Sequence, residues 1–295
     1  MNPLKSLYNR LPENARSAVR AWVPDSVLRW YAHRGTDVYL ISYPKCGRTW
    51  LRLMIGRAIA THFFLPENED TLLIHWKGKP HPQVPHITVI HDDRPMLKAP
   101  GELESSKMRY RDKQIIFLAR DPRDVIVSSY FEMKNRGRLF GENPYEDRQP
   151  VFKGNLGEFV HREQGGFETI LRYYNIWAQN KDLMRGFLLV RYEDMQADPL
   201  RELRRVIDFI GLGDIPDETL VQAVAFASFE NMRQMEAGGK FRNEVLKPAD
   251  PNDYDSYKTR KGKVKGYLDY LDDAEISNLN RQMQKNLSPL FGYSV

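Results

Sequence analysis

The sequence predicts an α/β domain of three layers, in which a central parallel β-sheet is flanked by helices. Four short apolar runs recur along the chain, and such near-continuous apolarity is typical of strands that are buried on both faces of a parallel sheet. Helical patterns with recognisable start signals alternate with these runs, as α/β domains require. The four runs are Val38–Ser42, Ile87–Ile90, Ile115–Ala119 and Phe187–Tyr192.

Two of the predicted helices begin at an Asp-Pro pair. Asp121 and Asp198 each place a capping carboxylate before a proline, and a proline suits the first turn of a helix. The segments that follow them, Arg123–Met133 and Leu200–Ile210, have apolar residues at helix-compatible spacing. Each pair therefore predicts a helix start.

The chain shows no internal repeat and no linker, so we expect a single domain over residues 1–295. Residues 1–36 are predicted to be a helical segment that packs on this domain, although its mixture of apolar and basic residues would also suit peripheral contact with a membrane. Residues 136–157 and 236–265 lack periodicity, which predicts two mobile loops beside a site.

Charge and cysteine content exclude several classes of protein. The 44 Lys and Arg residues exceed the 39 Asp and Glu residues by five, a bias too small to indicate nucleic acid as a partner. Cys46 is the only cysteine, which excludes an intrachain disulfide and a multi-cysteine zinc site. No apolar run approaches the roughly 20 residues of a membrane helix, and no signal-peptide core is present. We therefore expect a cytoplasmic protein without a transmembrane segment or a metal.

The most informative motif lies between the first predicted strand and the helical pattern Leu51–His62. It reads Tyr-Pro-Lys-Cys-Gly-Arg-Thr-Trp over residues 43–50. The N-terminus of a helix binds anions, Gly47 lets the backbone approach a ligand, Lys45 adds a charge and Thr49 a hydroxyl. The motif therefore predicts a P-loop-like phosphate site, although Lys precedes Gly, unlike in a Walker loop. The alternative is an ordinary strand-to-helix turn with a solvated lysine.

Two further basic clusters strengthen the prediction of a phosphate site. Arg120 follows the strand-like run Ile115–Ala119, at the sheet edge where open α/β folds bind ligands, and Ser128 lies about two helical turns later. The third cluster is the basic segment 259–266. The alternatives are an ion pair of Arg120 with Asp121 or Asp124, a packing role for Ser128, and a solvated basic loop.

In this order, the clusters resemble the sulfotransferases that use 3′-phosphoadenosine 5′-phosphosulfate (PAPS). Residues 43–50 resemble the family's phosphosulfate loop, Y-P-K-S-G-T-T-W, and residues 120–128 resemble its 3′-phosphate motif. Residues 260–262 resemble its C-terminal R-K-G motif, and residues 192–195 and 228–232 its adenine-side segments. The resemblance extends from Val38 to Tyr270. It implies sulfuryl transfer from PAPS to an acceptor hydroxyl, with 3′,5′-adenosine diphosphate (PAP) as a product and without a metal.

The resemblance also assigns residues to each part of the donor. The 5′-phosphosulfate would be held by Lys45, Gly47 and Thr49, in a loop that also supplies Cys46 and Arg48 to the donor site. Adenine would be contacted by Trp50, Tyr192 and Phe229, with a hydrogen bond from Ser228. The 3′-phosphate would be bound by Arg120, Ser128, Arg260, Lys261 and Gly262.

Sulfuryl transfer requires a base for the acceptor hydroxyl and a cation for the leaving phosphate. His91 follows the run Ile87–Ile90 and resembles the family's catalytic histidine, and Lys45 is the expected cation. Two residues depart from the family loop. Cys46 replaces a serine and would be either a buried filler or a reactive thiol at a helix start. Arg48 replaces a threonine and would either bind the phosphosulfate or face solvent.

Two other functions stay open at the level of sequence. A P-loop kinase would need a full Walker loop and a magnesium-binding carboxylate on a strand, and the sequence offers neither. A nucleotide-binding protein without activity is the other alternative, although the presence of both Lys45 and His91 argues against it. The acceptor is expected to be a carbohydrate or glycolipid hydroxyl, with a small alcohol or phenol as the alternative.

Overall fold

A four-stranded parallel sheet lies at the centre of the fold, as predicted. The computed structural model describes residues 33–76, 78–135, 151–241, 248, 250 and 252–293. The strands are β1 (Val38–Ser42), β2 (Ile87–Ile90), β3 (Gln114–Ala119) and β4 (Gly186–Arg191), in the spatial order β2-β1-β3-β4. In the register, Val38 lies opposite both Ile87 and Gln114, and Ala119 lies opposite Arg191. All neighbouring strands in this sheet are parallel.

Helices flank the sheet. We number those of the described residues α1 to α10: α1 (Arg48–His62), α2 (Glu69–Leu72), α3 (Pro122–Asn135), α4 (Leu156–His161), α5 (Phe167–Asn180), α6 (Tyr192–Ala197), α7 (Pro199–Phe209), α8 (Asp217–Phe226), α9 (Phe229–Ala237) and α10 (Asp273–Asn286). None of them is long and apolar enough to cross a bilayer. Short 3₁₀ turns occupy Pro95–Leu97, Pro100–Glu102, Met108–Tyr110, Lys181–Leu183, Tyr254–Ser256, Gly266–Asp269 and Pro289–Phe291.

Both predicted helix starts are confirmed. The Asp198 carboxylate accepts a hydrogen bond from the backbone N–H of Arg201, and Pro199 occupies the first turn of α7. Asp121 accepts in the same way from the N–H of Arg123 at 2.9 Å. One predicted boundary is wrong, because Tyr192 begins α6 instead of ending β4.

An aromatic core joins the sheet to α5. Phe117, at the middle of β3, lies 5.7 Å from the Trp177 ring and 6.1 Å from the Tyr173 ring, measured between centroids. The interior strands are buried along almost their whole length, as their apolar sequences predict. Burial of such large rings stabilises this part of the fold.

Residues 37–295 form one compact unit and residues 1–36 another. The predicted N-terminal helical segment lies outside the described residues up to residue 32, as do residues 136–150, 242–247, 249 and 251 of the two predicted loops. The second of these predicted loops begins inside a helix, because α9 continues to Ala237.

The parallel sheet brings four segments of the chain to one edge. Because the carboxyl ends of parallel strands meet there, the loop 43–47 follows β1, His91 follows β2, Arg120 follows β3 and Tyr192 follows β4. The fold thus gathers four of the regions that the motifs single out.

Candidate active site

The loop 43–47 turns from β1 into α1 through two residues with left-handed backbone. Lys45 has φ 72° and Gly47, the N-cap of α1, has φ 92°. A Cβ at Gly47 would lie 2.6 Å from the ring of Tyr192. This position therefore requires glycine for two reasons, the positive φ angle and the lack of space for a side chain. The first turn of α1 contains no acidic residue. Its backbone N–H groups and dipole therefore suit an anion.

Lys45 forms an ion pair that the motifs did not reveal. Its Nζ lies 2.5 Å from Oε2 of Glu132 on α3, and the lysine side chain is 12% exposed. Glu132 lies four residues after Ser128 and therefore on the same face of α3. That spacing is the one sequence signal that relates Glu132 to the predicted site.

The Tyr192 ring contacts Trp50 edge to face and also contacts the Arg120 guanidinium. Its ring centroid lies 5.9 Å from that of Trp50, and the Arg120 guanidinium lies 4.4 Å from the Tyr192 centroid. Residues that follow β1, β3 and β4 in the chain thus meet at the Tyr192 ring. The two predicted adenine-side aromatics Trp50 and Tyr192 lie together.

Arg120 connects two loops through their backbones. Its Nη1 donates to the carbonyl oxygen of Lys45 at 3.3 Å, and its Nη2 donates to that of Lys263 at 3.0 Å. Its Nη2 also lies 3.5 Å from a carboxylate oxygen of Asp124, which is the ion pair considered as an alternative. Asp121 instead pairs with Arg123 at 2.6 Å. Arg120 therefore pairs with Asp124 and also bridges the backbones of the two loops.

Ser128 lies on a face of α3 that meets both cationic groups. Phe131 and Glu132, three and four residues after it, share this face. The Arg260 guanidinium stacks 4.0 Å from the centroid of Phe131, while Glu132 holds Lys45. Ser128, partly exposed, thus lies about one helical turn before the two residues of α3 that contact Arg260 and Lys45.

Two buried carboxylates hold the basic segment, one at each end; with the residue that each end adds, the segment is counted from here on as 258–267. Glu236 of α9 accepts from the backbone N–H groups of Lys258 and Thr259, at 2.7 and 3.0 Å. Asp124 of α3 accepts from those of Lys265 and Tyr267, at 3.0 and 2.9 Å. Hydrogen bonds to a charged acceptor are among the stronger ones in proteins. The segment is therefore attached to two helices by its own backbone.

Gly262 and Phe229 are in direct contact. Gly262 has φ 60°, and a Cβ there would lie 2.6 Å from the Phe229 ring, which is 39% exposed. The Gly262 carbonyl accepts from the Gln196 amide at 3.0 Å. Lys261 reaches Asp269 at 3.1 Å, near the surface. Phe229 and the R-K-G segment thus form one surface.

Ser228 and Thr49 occupy helix starts. The Ser228 hydroxyl accepts from the N–H of Asn231 at 3.3 Å and so caps α9. This capping role was not part of the sequence prediction. Thr49 is buried in the first turn of α1, the region that suits an anion.

His91 is held in one defined tautomer. Its Nδ1 lies 3.0 Å from the carbonyl oxygen of Ser42, which can only accept, so Nδ1 carries the proton. Nε2 lies 2.6 Å from Nη2 of Arg48, which can only donate, so Nε2 presents its lone pair. Burial lowers the pKa of His91 well below its ordinary value, and the charge of Arg48 lowers it further. His91 is therefore neutral and has the form of a general base.

The turn after His91 is fixed by a buried ion pair. Asp92 and Asp93 have positive φ angles of 39° and 63°, which non-glycine residues rarely adopt. The Asp92 carboxylate lies 2.7 Å from Nζ of Lys107, and each side chain is 1% exposed. Asp93 is engaged by Lys98. These contacts hold the strained backbone beside the histidine.

Cys46 is a buried thiol. Tyr174 donates its hydroxyl proton to the carbonyl oxygen of Arg120 at 2.8 Å, so the Cys46 thiol donates to the Tyr174 oxygen, 3.3 Å away. Burial raises the pKa of Cys46 to about 12. Cys46 is thus buried, as the filler interpretation expects, and its thiol pKa is raised instead of lowered.

Arg48 makes a contact that neither of its two predictions, phosphosulfate binding or exposure to solvent, included. Its Nη2 lies 2.6 Å from Nε2 of His91, and sequence alone had not related the two residues. They are 43 positions apart, so no local pattern could join them. The parallel pairing of β1 with β2 brings them together.

Comparisons with known proteins agree with this arrangement. The family described as Sulfotransferase domain matches residues 35–291. Cytosolic sulfotransferase 17 of Arabidopsis thaliana is 27% identical over 276 residues, which cover 87% of this chain and 76% of the relative. Flavonol 3-sulfotransferase of Flaveria bidentis is 26% identical over 269 residues, which cover 85% of this chain and 81% of the relative.

Solved structures share the fold. Mouse sulfotransferase SULT7A1, complexed with PAP, superposes with a TM-score of 0.56 at 18% identity, covering 85% of this chain and 84% of the other. Retinol dehydratase in a complex with retinol and PAP gives a TM-score of 0.54 at 18% identity, covering 85% and 81%. The match of the family to most of the chain, together with the shared fold, shows that this protein belongs to the sulfotransferase family.

Proposed function

We propose that this sulfotransferase transfers the sulfuryl group of PAPS to an acceptor hydroxyl, with His91 as the general base. The observation that carries the proposal is the tautomer of His91. Nδ1–H is bound to the Ser42 carbonyl, so Nε2 carries the lone pair, and an acceptor hydroxyl would take the place of the Arg48 N–H that Nε2 binds in this structure. His91 lies at the same sheet edge as the loop 43–47, where the leaving phosphate would be held.

The donor is inferred from two separated cationic groups with aromatic surface between them. Lys45 and the start of α1 suit the 5′-phosphosulfate, while Ser128 and the segment 260–262 suit the 3′-phosphate. Trp50, Tyr192 and Phe229 offer the adenine surface. The PAP complexes of mouse SULT7A1 and of retinol dehydratase support this choice of donor.

The proposed step is an in-line displacement at sulfur. The acceptor oxygen forms a bond to sulfur as the bond from sulfur to the 5′-phosphate oxygen breaks, and that oxygen keeps the electron pair. Nε2 of His91 takes the proton of the hydroxyl, and Lys45 stabilises the charge that develops on the leaving phosphate. The products are the sulfated acceptor and PAP.

The acceptor is proposed to be a hydroxyl compound: a carbohydrate, a glycolipid, or a small alcohol or phenol. The flavonol sulfotransferases among the relatives support the phenolic end of this range. Phe152 supplies apolar surface near α3, at 6.3 Å from the Tyr130 ring and 5.0 Å from the Phe159 ring. A screen of acceptor compounds with labelled PAPS identifies the class.

Replacement of His91 tests the proposed base. We expect His91→Ala to lower kcat by about 10²–10⁴-fold, the usual cost of losing a general base, while the Kd for PAP stays near the wild-type value. His161→Ala is the control, because His161 is an exposed histidine that pairs with Glu275. The proposal fails if His91→Ala retains more than about a third of wild-type kcat, well above that expected range.

A further inference from the structure

Arg48 and His91 form a contact that the proposed chemistry does not by itself require. The Arg48 guanidinium comes from the first turn of α1, and His91 comes from the end of β2. Their nitrogen atoms are 2.6 Å apart, the length of a short hydrogen bond. An arginine keeps its charge at every pH at which an enzyme works, so the acceptor in this bond must be a neutral imidazole.

We propose that Arg48 is a positioning residue that keeps Nε2 of His91 unprotonated and thereby extends the activity of the enzyme toward lower pH. The inference rests on the proposed role of His91 as general base. It adds a determinant of the pH range of the reaction, located at a position where the resembled loop has threonine.

The physical argument begins with the hydrogen bond. If Nε2 gained a proton, two donors would face each other across 2.6 Å, so protonation requires that the Arg48 contact break. Protonation would also place a second positive charge against the guanidinium in a poorly solvated site. Both effects favour the neutral base.

The other groups around His91 act in known directions. Arg52 of α1 and Lys258 of the basic segment also disfavour the charged imidazole, while the Ser42 carbonyl favours it. From α5, Tyr173 donates its hydroxyl to the His91 carbonyl oxygen at 2.8 Å and carries no charge.

The neighbouring carboxylates are occupied by other cations. Asp92 is bound by Lys107 and Arg109, and Asp93 by Lys98. Arg48 is the charged group in hydrogen-bond contact with Nε2, and it is therefore the group to change.

The test is the pH dependence of kcat/KM, measured in Arg48→Gln at saturating donor. A histidine with an ordinary pKa of about 6.5 would be about tenfold less available as a base at about pH 5.5 than at neutral pH. We expect wild-type kcat/KM to change little over that range, and the acid limb of Arg48→Gln to move upward toward the ordinary histidine value. The control is Arg57→Gln, which removes the same charge from the same helix but from an arginine that pairs with Glu67.

A direct titration keeps the test independent of turnover. Protein with labelled histidine imidazoles is titrated by NMR without substrates, and the His91 signal is assigned by its absence in His91→Gln. We expect wild-type His91 to keep its Nδ1–H form down to about pH 5.5, and Arg48→Gln to gain a proton at higher pH than wild type.

The outcomes separate the inference from the proposed function. An identical His91 titration in wild type and Arg48→Gln, or a wild-type His91 that titrates at or above about 6.5, overturns the role of Arg48. Full activity in His91→Gln overturns the base assignment instead, whatever the titration shows. A conservative variant, Arg48→Lys, keeps the charge, and a titration shifted further than that of Arg48→Gln would also contradict the inference.

Discussion

Glu132 forms an ion pair with Lys45 at the place where the phosphosulfate of the proposed donor would bind. The carboxylate lies 2.5 Å from the ammonium and is 25% exposed, so an incoming anion meets both a neutralised lysine and a negative charge. We expect Glu132→Gln to tighten PAP binding about fivefold, which corresponds to about 1 kcal/mol for a partly solvated ion pair. Isothermal titration calorimetry with PAP measures this change.

The control for that measurement is Glu168→Gln on α5, which removes an exposed carboxylate at another position. An unchanged or weaker affinity for PAP in Glu132→Gln would mean that the carboxylate orients Lys45 for the donor instead of competing with it.

Cys46 gives a second prediction for a single residue. Because burial raises its thiol pKa to about 12, almost no thiolate exists near pH 8, and the side chain is also inaccessible. We expect no reaction with a thiol reagent such as 5,5′-dithiobis(2-nitrobenzoate) in the native protein at this pH. One equivalent should react after unfolding in denaturant, since Cys46 is the only cysteine. Rapid reaction of the native protein would contradict the buried position.

The placement of Lys45 and His91 at the sheet edge was predictable, but several of their partners were not. The loop motif identified Lys45, and the strand end identified His91, because both signals are local in sequence. Glu132 and Arg48 became partners only through tertiary structure, over separations of 87 and 43 positions. A sequence pattern defines which residues are present at the sheet edge, whereas contacts across that edge depend on how α1 and α3 pack.

The backbone of the basic segment 258–267 is held at both ends by helices α3 and α9. Asp124 accepts two of its backbone N–H groups, and hydrogen bonds to charged groups contribute about 1.5–3 kcal/mol each. We expect Asp124→Ala to release the segment, to weaken PAP binding by about tenfold or more, and to accelerate tryptic cleavage within it. Limited proteolysis and PAP titration measure the two effects.

Asp269→Ala is the matched control for that experiment. In the part of the chain that the structure describes, Asp269 pairs with the exposed ammonium groups of Lys261 and Lys263, and exposed pairs contribute little. Equal cleavage rates in Asp124→Ala and wild type would show that the backbone hydrogen bonds do not fix the segment.

Elements with a local signal were predicted well. The apolar runs gave β1 and β2 with their observed bounds, and the Asp-Pro pairs marked the starts of α3 and α7. The attachment of the basic segment had no such signal, because Asp124 and Glu236 look like ordinary helix carboxylates in sequence. Their roles depend on backbone N–H groups more than a hundred residues away for Asp124 and about twenty away for Glu236.

At the scale of the whole molecule, the proposed donor site joins early and late parts of the chain. Lys45 follows the first strand and Gly262 belongs to the basic segment, so a bound nucleotide links elements that unfolding separates. We expect PAP at about 100 times its Kd to stabilise the protein by about 2.7 kcal/mol and to raise Tm by about 4 °C. Thermal-shift measurements check this, with ATP and Mg²⁺ at the same concentration as the comparison. A larger shift with ATP and Mg²⁺ would favour the kinase alternative.

The two hydrogen bonds of Arg120 have a consequence for which nucleotides fit. One planar guanidinium binds the carbonyl oxygens of both Lys45 and Lys263 and thereby fixes the distance between the phosphate loop and the basic segment. The distance between the two proposed anion subsites is then set before a ligand arrives. We expect selectivity to depend on the span of the ligand rather than on its total charge: a ligand with phosphates on opposite sides of one ribose would reach both proposed subsites, and a longer chain of phosphates on one side would not.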